Sequence, residues 1–157
     1  MYRATVMLDT NVVIDYLSRR EPFFERARLV MLCGRAGEFR LLLAASQITD
    51  LVYILSNGGR ASEVPAVQQR LRGLRTFVDV VPVDAAAIDR MLSTGWNDPE
   101  DALLYDLALA AGADCLLTRN KADFKAGPLP VMDCDEFFAW VEETRGVLYD
   151  EISIAAP

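Results

Sequence analysis

The chain has 157 residues, just over half of them hydrophobic, which allows one domain with a sizeable core and excludes a disordered chain. It contains no histidine, and this excludes every mechanism that needs imidazole: Ser-His-Asp and Cys-His nucleophiles, HExxH zinc sites and histidine acid–base ribonucleases. The net charge of −7 argues against general nucleic-acid binding, because an acidic surface repels phosphate.

Ala4–Leu8 reads as a buried strand that runs into Asp9, and Thr10–Ser18 as a helix with Val13, Ile14 and Leu17 on one side. MYRATVMLD is too short, and too soon broken by Asp9, for a signal peptide. No apolar run reaches the roughly eighteen residues of a membrane span, so a cytoplasmic protein is expected. A second helical pattern follows Pro22 and runs to about Gly37. Arg40–Ser46 is a second buried strand. Ser46 or Thr49 begins the next helix, which stops at the Asn57-Gly58-Gly59 turn. The stretch SEVPAVQQRLRGLR is an amphipathic helix, and Phe77–Val83 is a third strand. Asp84 caps the helix AAAIDRMLS. Asn97-Asp98-Pro99 opens a helix that ends on Gly112. Asp114–Thr118 is a fourth strand, LPVMD a short fifth, and DEFFAWVEETRG the last helix. The tail after Gly146 has no pattern, which places one domain over 1–146 and a tail over 147–157.

Alternating helices and strands, with the strands continuously apolar, predict a three-layer α/β/α sandwich around a mostly parallel sheet of four to five strands. Ligands of such sheets bind beyond the carboxyl ends of the strands, near a topological switch point. Asp9 and Thr118 both fall at such ends. Cys33, Cys115 and Cys134 are odd in number, widely spaced and in apolar contexts, and read as buried free thiols.

Several other acids fall where a strand ends or a helix begins: Asp50 in a first helical turn, Asp98 and Asp101 at a helix start, and Asp123 after the fourth strand. Gathered carboxylates repel one another and persist most readily around a cation. Oxygen ligands without His or Cys favour Mg²⁺ or Mn²⁺. Each acid also has a structural reading: Asp9 and Asp98 as helix caps, Asp50 as a favourable charge at a helix N-terminus, Asp123 as a turn residue. Asp15, Asp84, Asp89, Asp106, Asp133 and Asp135 read as solvated or capping. Lysine occurs only at Lys121 and Lys125. Arginines on Gln68–Arg75 or at Arg19-Arg20 could guide a phosphate backbone, although a solvated helix face explains them as well.

The words around the acids resemble the PIN-domain family, which includes the VapC-type toxins of bacterial toxin–antitoxin pairs. LDTNVVIDYL looks like its opening motif. SQITDLVYIL matches the segment of its second acid, often Glu and here Asp50. DPEDALLYDLALAAGADCLLTRNKADF resembles its third and fourth motifs in tandem, and the likeness runs from about Val6 to Phe138. The resemblance implies a Mg²⁺- or Mn²⁺-dependent endoribonuclease acting on single-stranded RNA, with water attacking the phosphodiester in line. Carried over by position, Asp9, Asp101 and Asp123 hold the metal, and Asp50 completes the catalytic set, holding a water or a second ion. Asn11, Asp98, Thr118 and Asn120 support them. Many members carry an acid where this chain has Asn120, so Asp123 takes that place.

The resemblance also implies a homodimer and an antitoxin partner, for which Val52, Tyr53 and Leu55 are exposed-looking apolar positions. Two alternatives remain. One is a PIN domain kept as a non-catalytic RNA- or protein-binding module. The other is a metal-dependent phosphatase, weakened by Asn11 where haloacid-dehalogenase enzymes need a second Asp.

Overall fold

The structure is a computed structural model that describes residues 3–149. Five strands form one sheet: β1 (Ala4–Leu8), β2 (Phe39–Ala44), β3 (Val78–Val81), β4 (Cys115–Leu117) and β5 (Val131–Met132). Their spatial order is β3-β2-β1-β4-β5, and every pairing is parallel. Seven α-helices connect or flank them: α1 (Thr10–Leu17), α2 (Phe24–Ala36), α3 (Ala45–Leu55), α4 (Val64–Leu74), α5 (Ala85–Leu92), α6 (Pro99–Ala110) and α7 (Cys134–Arg145). The expected α/β sandwich is therefore present, with an entirely parallel sheet.

Side chains alternate across each strand. Val6, Leu8, Leu41, Leu43 and Leu117 pack on one face with residues of α1, α2, α3, α4 and α7. Met7, Leu42, Ala44 and Leu116 pack on the other with α5 and α6. Helices on both faces leave no solvated side, which is why the strands read as continuous apolar runs. From β1 the chain winds out through β2 to β3, then returns to lay β4 on the other flank of β1. The order reverses between β1 and β4, so the carboxyl ends of these two strands border the crevice where doubly wound sheets bind ligands.

Several boundaries differ from expectation. The strand expected over Arg40–Ser46 ends at Ala44, and α3 starts at Ala45, ahead of both Ser46 and Thr49. Gln47 accounts for this. Its Oε1 accepts the Ala44 N–H at 2.7 Å, so a side chain from inside the first turn satisfies an otherwise orphaned donor. β3 is shorter than Phe77–Val83, and β4 lacks Asp114 and Thr118. Asp123 lies in a turn, as its structural reading had it, and the turn is a 3₁₀ helix over Lys121–Asp123. Asp84, Asp98 and Asp133 cap their helices.

Asp15 corrects the reading of a solvated or capping residue. It is 1% exposed and paired with Arg119. The partner lies 104 positions away, so no local pattern announces the pair. Beyond Gly146, Tyr149 returns against Phe39 and Phe138; residues 150–157 of the expected tail lie outside the described residues. Cys33, Cys115 and Cys134 are free, the first two buried and the third half-buried. Burial pushes their thiols up to about 11, 12 and 12, which keeps them protonated and unreactive near neutral pH. Among the described residues no helix is long and apolar enough to cross a membrane.

Candidate active site

Asp9 is both a helix cap and a member of an acidic group. Its backbone leaves β1 extended, and its Oδ1 accepts the Thr10 N–H at 2.6 Å at the start of α1. Its Oδ2 accepts from the Thr118 hydroxyl at 2.7 Å and from Asn11 Nδ2 at 3.1 Å. Thr118 is buried at the exit of β4 and ties the two switch-point strands together. Burial raises the Asp9 carboxyl above its usual range; the bonds from Thr118 and Thr10 oppose this, Asp98 reinforces it, and Arg119 counteracts it.

The supporting residues expected from sequence enter in three ways. Asn11 donates to Asp9 and to Thr118 Oγ1, the latter at 3.1 Å, and accepts the Arg119 N–H at 3.2 Å. Asn120 takes part through its backbone, whose N–H donates to Thr118 Oγ1 at 3.0 Å. Asp98 caps α6, its Oδ1 accepting the N–H groups of Glu100 and Asp101.

Asp101, half-buried in the first turn of α6, carries the strongest electrostatic signature. Its carboxyl is pushed up to about 7, by burial first and then by the charges of Asp98, Asp9, Asp123 and Glu100. The acids from the ends of β1 and β4 and the start of α6 thus share one field. Asp123 reaches it from the exposed 3₁₀ turn. Asp50, expected in a first helical turn, lies in the second turn of α3 because the helix starts as early as Ala45; it acts on Glu100, which is raised by partial desolvation and then by Asp50, Asp98 and Asp9.

Sequence reasoning missed two residues here. Glu100 was passed over as part of an ordinary helix start, although the run Asp98-Pro99-Glu100-Asp101 held the signal. Gln47 was missed because no Ser, Thr, Asp or Asn stands three residues before it to complete a capping box. Only 4% exposed, it donates to the Leu8 carbonyl at 2.9 Å and to Thr10 Oγ1 at 3.1 Å. It thereby pins the start of α3 to the end of β1, and Asp50 follows one turn later. Replacing Gln47 by Leu strands the buried Ala44 N–H and removes both donations. We expect a loss of about 2–3 kcal/mol in urea unfolding; a change below about 0.5 kcal/mol would mean that these bonds contribute nothing net.

A divalent cation fits this group in donor chemistry and in charge. The donors are all oxygen, and their mutual repulsion is what a cation relieves. The carboxylates are not gathered into a ready coordination shell: among the described residues no three of them form a group able to hold an ion as placed.

A family model for the PIN domain matches residues 5–122. The match stops one residue short of Asp123, whose place in the site therefore rests on its charge acting on Asp101. Solved structures share the fold. A VapBC2 complex from Rickettsia felis, bound to a DNA fragment from its promoter, is 16% identical with a TM-score of 0.57 over 82% of this chain and 97% of that one. A DNA-bound VapBC from Salmonella typhimurium is also 16% identical, with a TM-score of 0.61 over 83% of this chain and 98% of that one. No curated protein matches. The family match spans well over half of the sequence: this chain belongs to the PIN-domain family.

Proposed function

We propose that the chain is a divalent-metal-dependent endoribonuclease acting on single-stranded RNA, the toxin of a toxin–antitoxin pair, with residues 1–146 as the catalytic unit. The PIN family is generally one of nucleases, and its nucleases generally use divalent metals. The observation that carries the reading for this chain is the shared field of Asp9, Asp98, Glu100, Asp101 and Asp123, in a sequence without histidine. Asp9, Asp101 and Asp123 would hold Mg²⁺ or Mn²⁺. Bound there, the ion would lower the pKa of a water and screen the phosphate.

The chain's own residues supply position and charge. Thr118 and Asn11 donate to Asp9 and orient its carboxylate, and the Thr118 bond opposes the upward push of burial on that carboxyl. Asp98 holds the first turn of α6, and with it Asp101. The acids exclude RNA until a cation offsets them, so charge alone ties substrate entry to metal loading. Asp50 would orient the water rather than bind the ion, since Asp is a methylene shorter than the Glu common in the family and Mg²⁺ usually keeps several waters. Asp50→Ala is then expected to lower turnover about tenfold or more with little change in metal affinity, and Asp50→Glu to keep part of the activity. Calorimetric loss of metal binding in Asp50→Ala would contradict the bridging role.

One observation favours a second reading, a non-catalytic PIN module: the acids do not form a ready ligand set as placed. Incubation of single-stranded RNA with the protein and Mg²⁺ or Mn²⁺ separates the two. Cleavage abolished by EDTA supports the nuclease; cleavage that survives EDTA, or none with either metal, refutes it. The antitoxin and dimer rest on the VapBC fold neighbours and on α3, where Tyr53 and Ile54 are 63% and 49% exposed. Val52 and Leu55 are half-buried against the core and contribute less than expected. Light scattering and growth arrest on expression without a neighbouring antitoxin test these roles.

A further inference from the structure

Arg119 follows Thr118 at the exit of β4, and α1 grips it twice. Asn11 Oδ1 accepts its backbone N–H at 3.2 Å, and Asp15 Oδ2 accepts from its Nε at 2.6 Å. Asn11 and Asp15 are four residues apart on α1 and therefore share a face one turn apart. The guanidinium also lies over the Phe23 ring, 4.4 Å from its centroid. These contacts leave the Arg119 side chain 24% exposed and that of Asp15 2%.

The grip bears directly on Asp9. An amide side chain presents oxygen on one side and NH₂ on the other, and its neighbours decide which way it faces. Because Asn11 Oδ1 is held by the Arg119 N–H, its Nδ2 faces Asp9 Oδ2 and Thr118 Oγ1. A flipped Asn11 would turn its oxygen toward a carboxylate. As a device for stability alone the ion pair is poorly made. Asp15 Oδ1 is buried and has no hydrogen-bond partner among the described residues. A buried pair of this kind is commonly replaced by apolar residues without loss of stability.

We propose that Arg119 is a positioning residue, clamped by Asp15 and Phe23 so that its backbone N–H fixes the Asn11 amide and thereby the Asp9 carboxylate for phosphodiester cleavage. This rests on the nuclease reading, and its test must stand apart from it. The discriminating variant is the double replacement Asp15→Leu with Arg119→Met, which removes the pair and keeps apolar volume. A merely structural role would leave this variant's turnover intact once its melting temperature matches wild type. Positioning predicts kcat lower by about 10- to 100-fold with KM for RNA within about twofold.

A second readout needs neither metal nor substrate: the Asn11 side-chain amide signals in ¹⁵N-resolved NMR are expected to shift and exchange faster with solvent. Arg119→Lys keeps the charge and loses the Nε contact; it is expected to fall between wild type and the double variant on both measures, and it decides the matter should the double variant not fold. Unchanged Asn11 signals, or kcat within about twofold of wild type, would overturn the inference. A wild-type protein that cleaves no RNA refutes the nuclease, while the Asn11 signals still decide whether Arg119 positions that amide.

Discussion

On the nuclease reading, Asp9→Asn is expected to lower metal-dependent RNA cleavage by at least about 100-fold and to leave the fold standing. The substitution keeps the shape and removes the charge. Asn and Asp are comparable as helix N-caps, so the Thr10 N–H at the start of α1 keeps an acceptor. At the second oxygen position Asn offers an NH₂ group. The Thr118 hydroxyl already accepts from Asn11 Nδ2 and from the Asn120 N–H, so it can rotate and accept from the new NH₂ only in place of Asn11 Nδ2, which then faces another donor and loses its bond. Against that loss, one carboxylate no longer repels Asp98 and Asp101, both of which feel the Asp9 charge. The two effects are of opposite sign and each about 1 kcal/mol, so unfolding without metal should stay within about 1 kcal/mol of wild type. Activity has no such compensation, because no other acid stands at the end of β1. RNA cleavage by the purified variant, with circular dichroism and urea unfolding alongside, checks the expectation; retained cleavage would remove Asp9 from the reaction.

The order of elements was legible because each strand is a plain apolar run bounded by a turn or cap. A mostly parallel sheet was legible because helices intervene; its strand order was not. Asp84, Asp98 and Asp133 could be read as caps from one residue and its neighbours. The start of α3 could not, since its capping group is Gln47, inside the helix, with Ala44 at the position where a polar cap is sought. The 3₁₀ turn at Lys121–Asp123 is too short for a periodic signal.

In the site the same division holds. Asp9, Asp101 and Thr118 were legible from their places at strand and helix ends. The Asp15–Arg119 pair was not, because its partners meet only when β4 is laid beside β1. The charge of Glu100 was visible, but its neighbours Asp50 and Asp9 lie far off in the chain. What escaped the sequence is therefore mostly pairwise and long-range: it depends on which strand ends the crossover brings together.

Asp101 is expected to make the metal-free protein less stable as the pH rises from about 4 to about 7, and Asp101→Asn to remove that loss. The unfolded chain gives up this proton near the ordinary value of 3.8, while the folded chain holds it up to about 7. Below 3.8 both states are protonated and the group is neutral in the balance. Between the two values the unfolded state alone has released its proton, so each increment of pH favours unfolding. Above about 7 the loss is complete. A displacement of that size corresponds to at most about 4 kcal/mol, and partial exposure to solvent reduces it to about 1–2 kcal/mol. The N-terminus of α6 favours a negative charge by about 0.3–1 kcal/mol, which works the other way and is the smaller effect. The proton belongs in part to the whole group, because Asp9 and Glu100 are raised as well; removing the Asp101 charge relieves them too. Asp101→Asn should thus be more stable than wild type by about 1–2 kcal/mol at pH 7.5 without metal, and equal to it at pH 3.5. Saturating Mg²⁺ should reverse the order, because an ion that binds only the folded state stabilises the protein that keeps its ligand. Metal binding should also weaken below pH 7, by up to about tenfold per pH unit for one displaced proton. Urea unfolding at the two pH values, with and without Mg²⁺, decides the matter. If Asp101→Asn and wild type differ equally at both pH values, the carboxyl titrates as an ordinary surface acid and the shared field is absent.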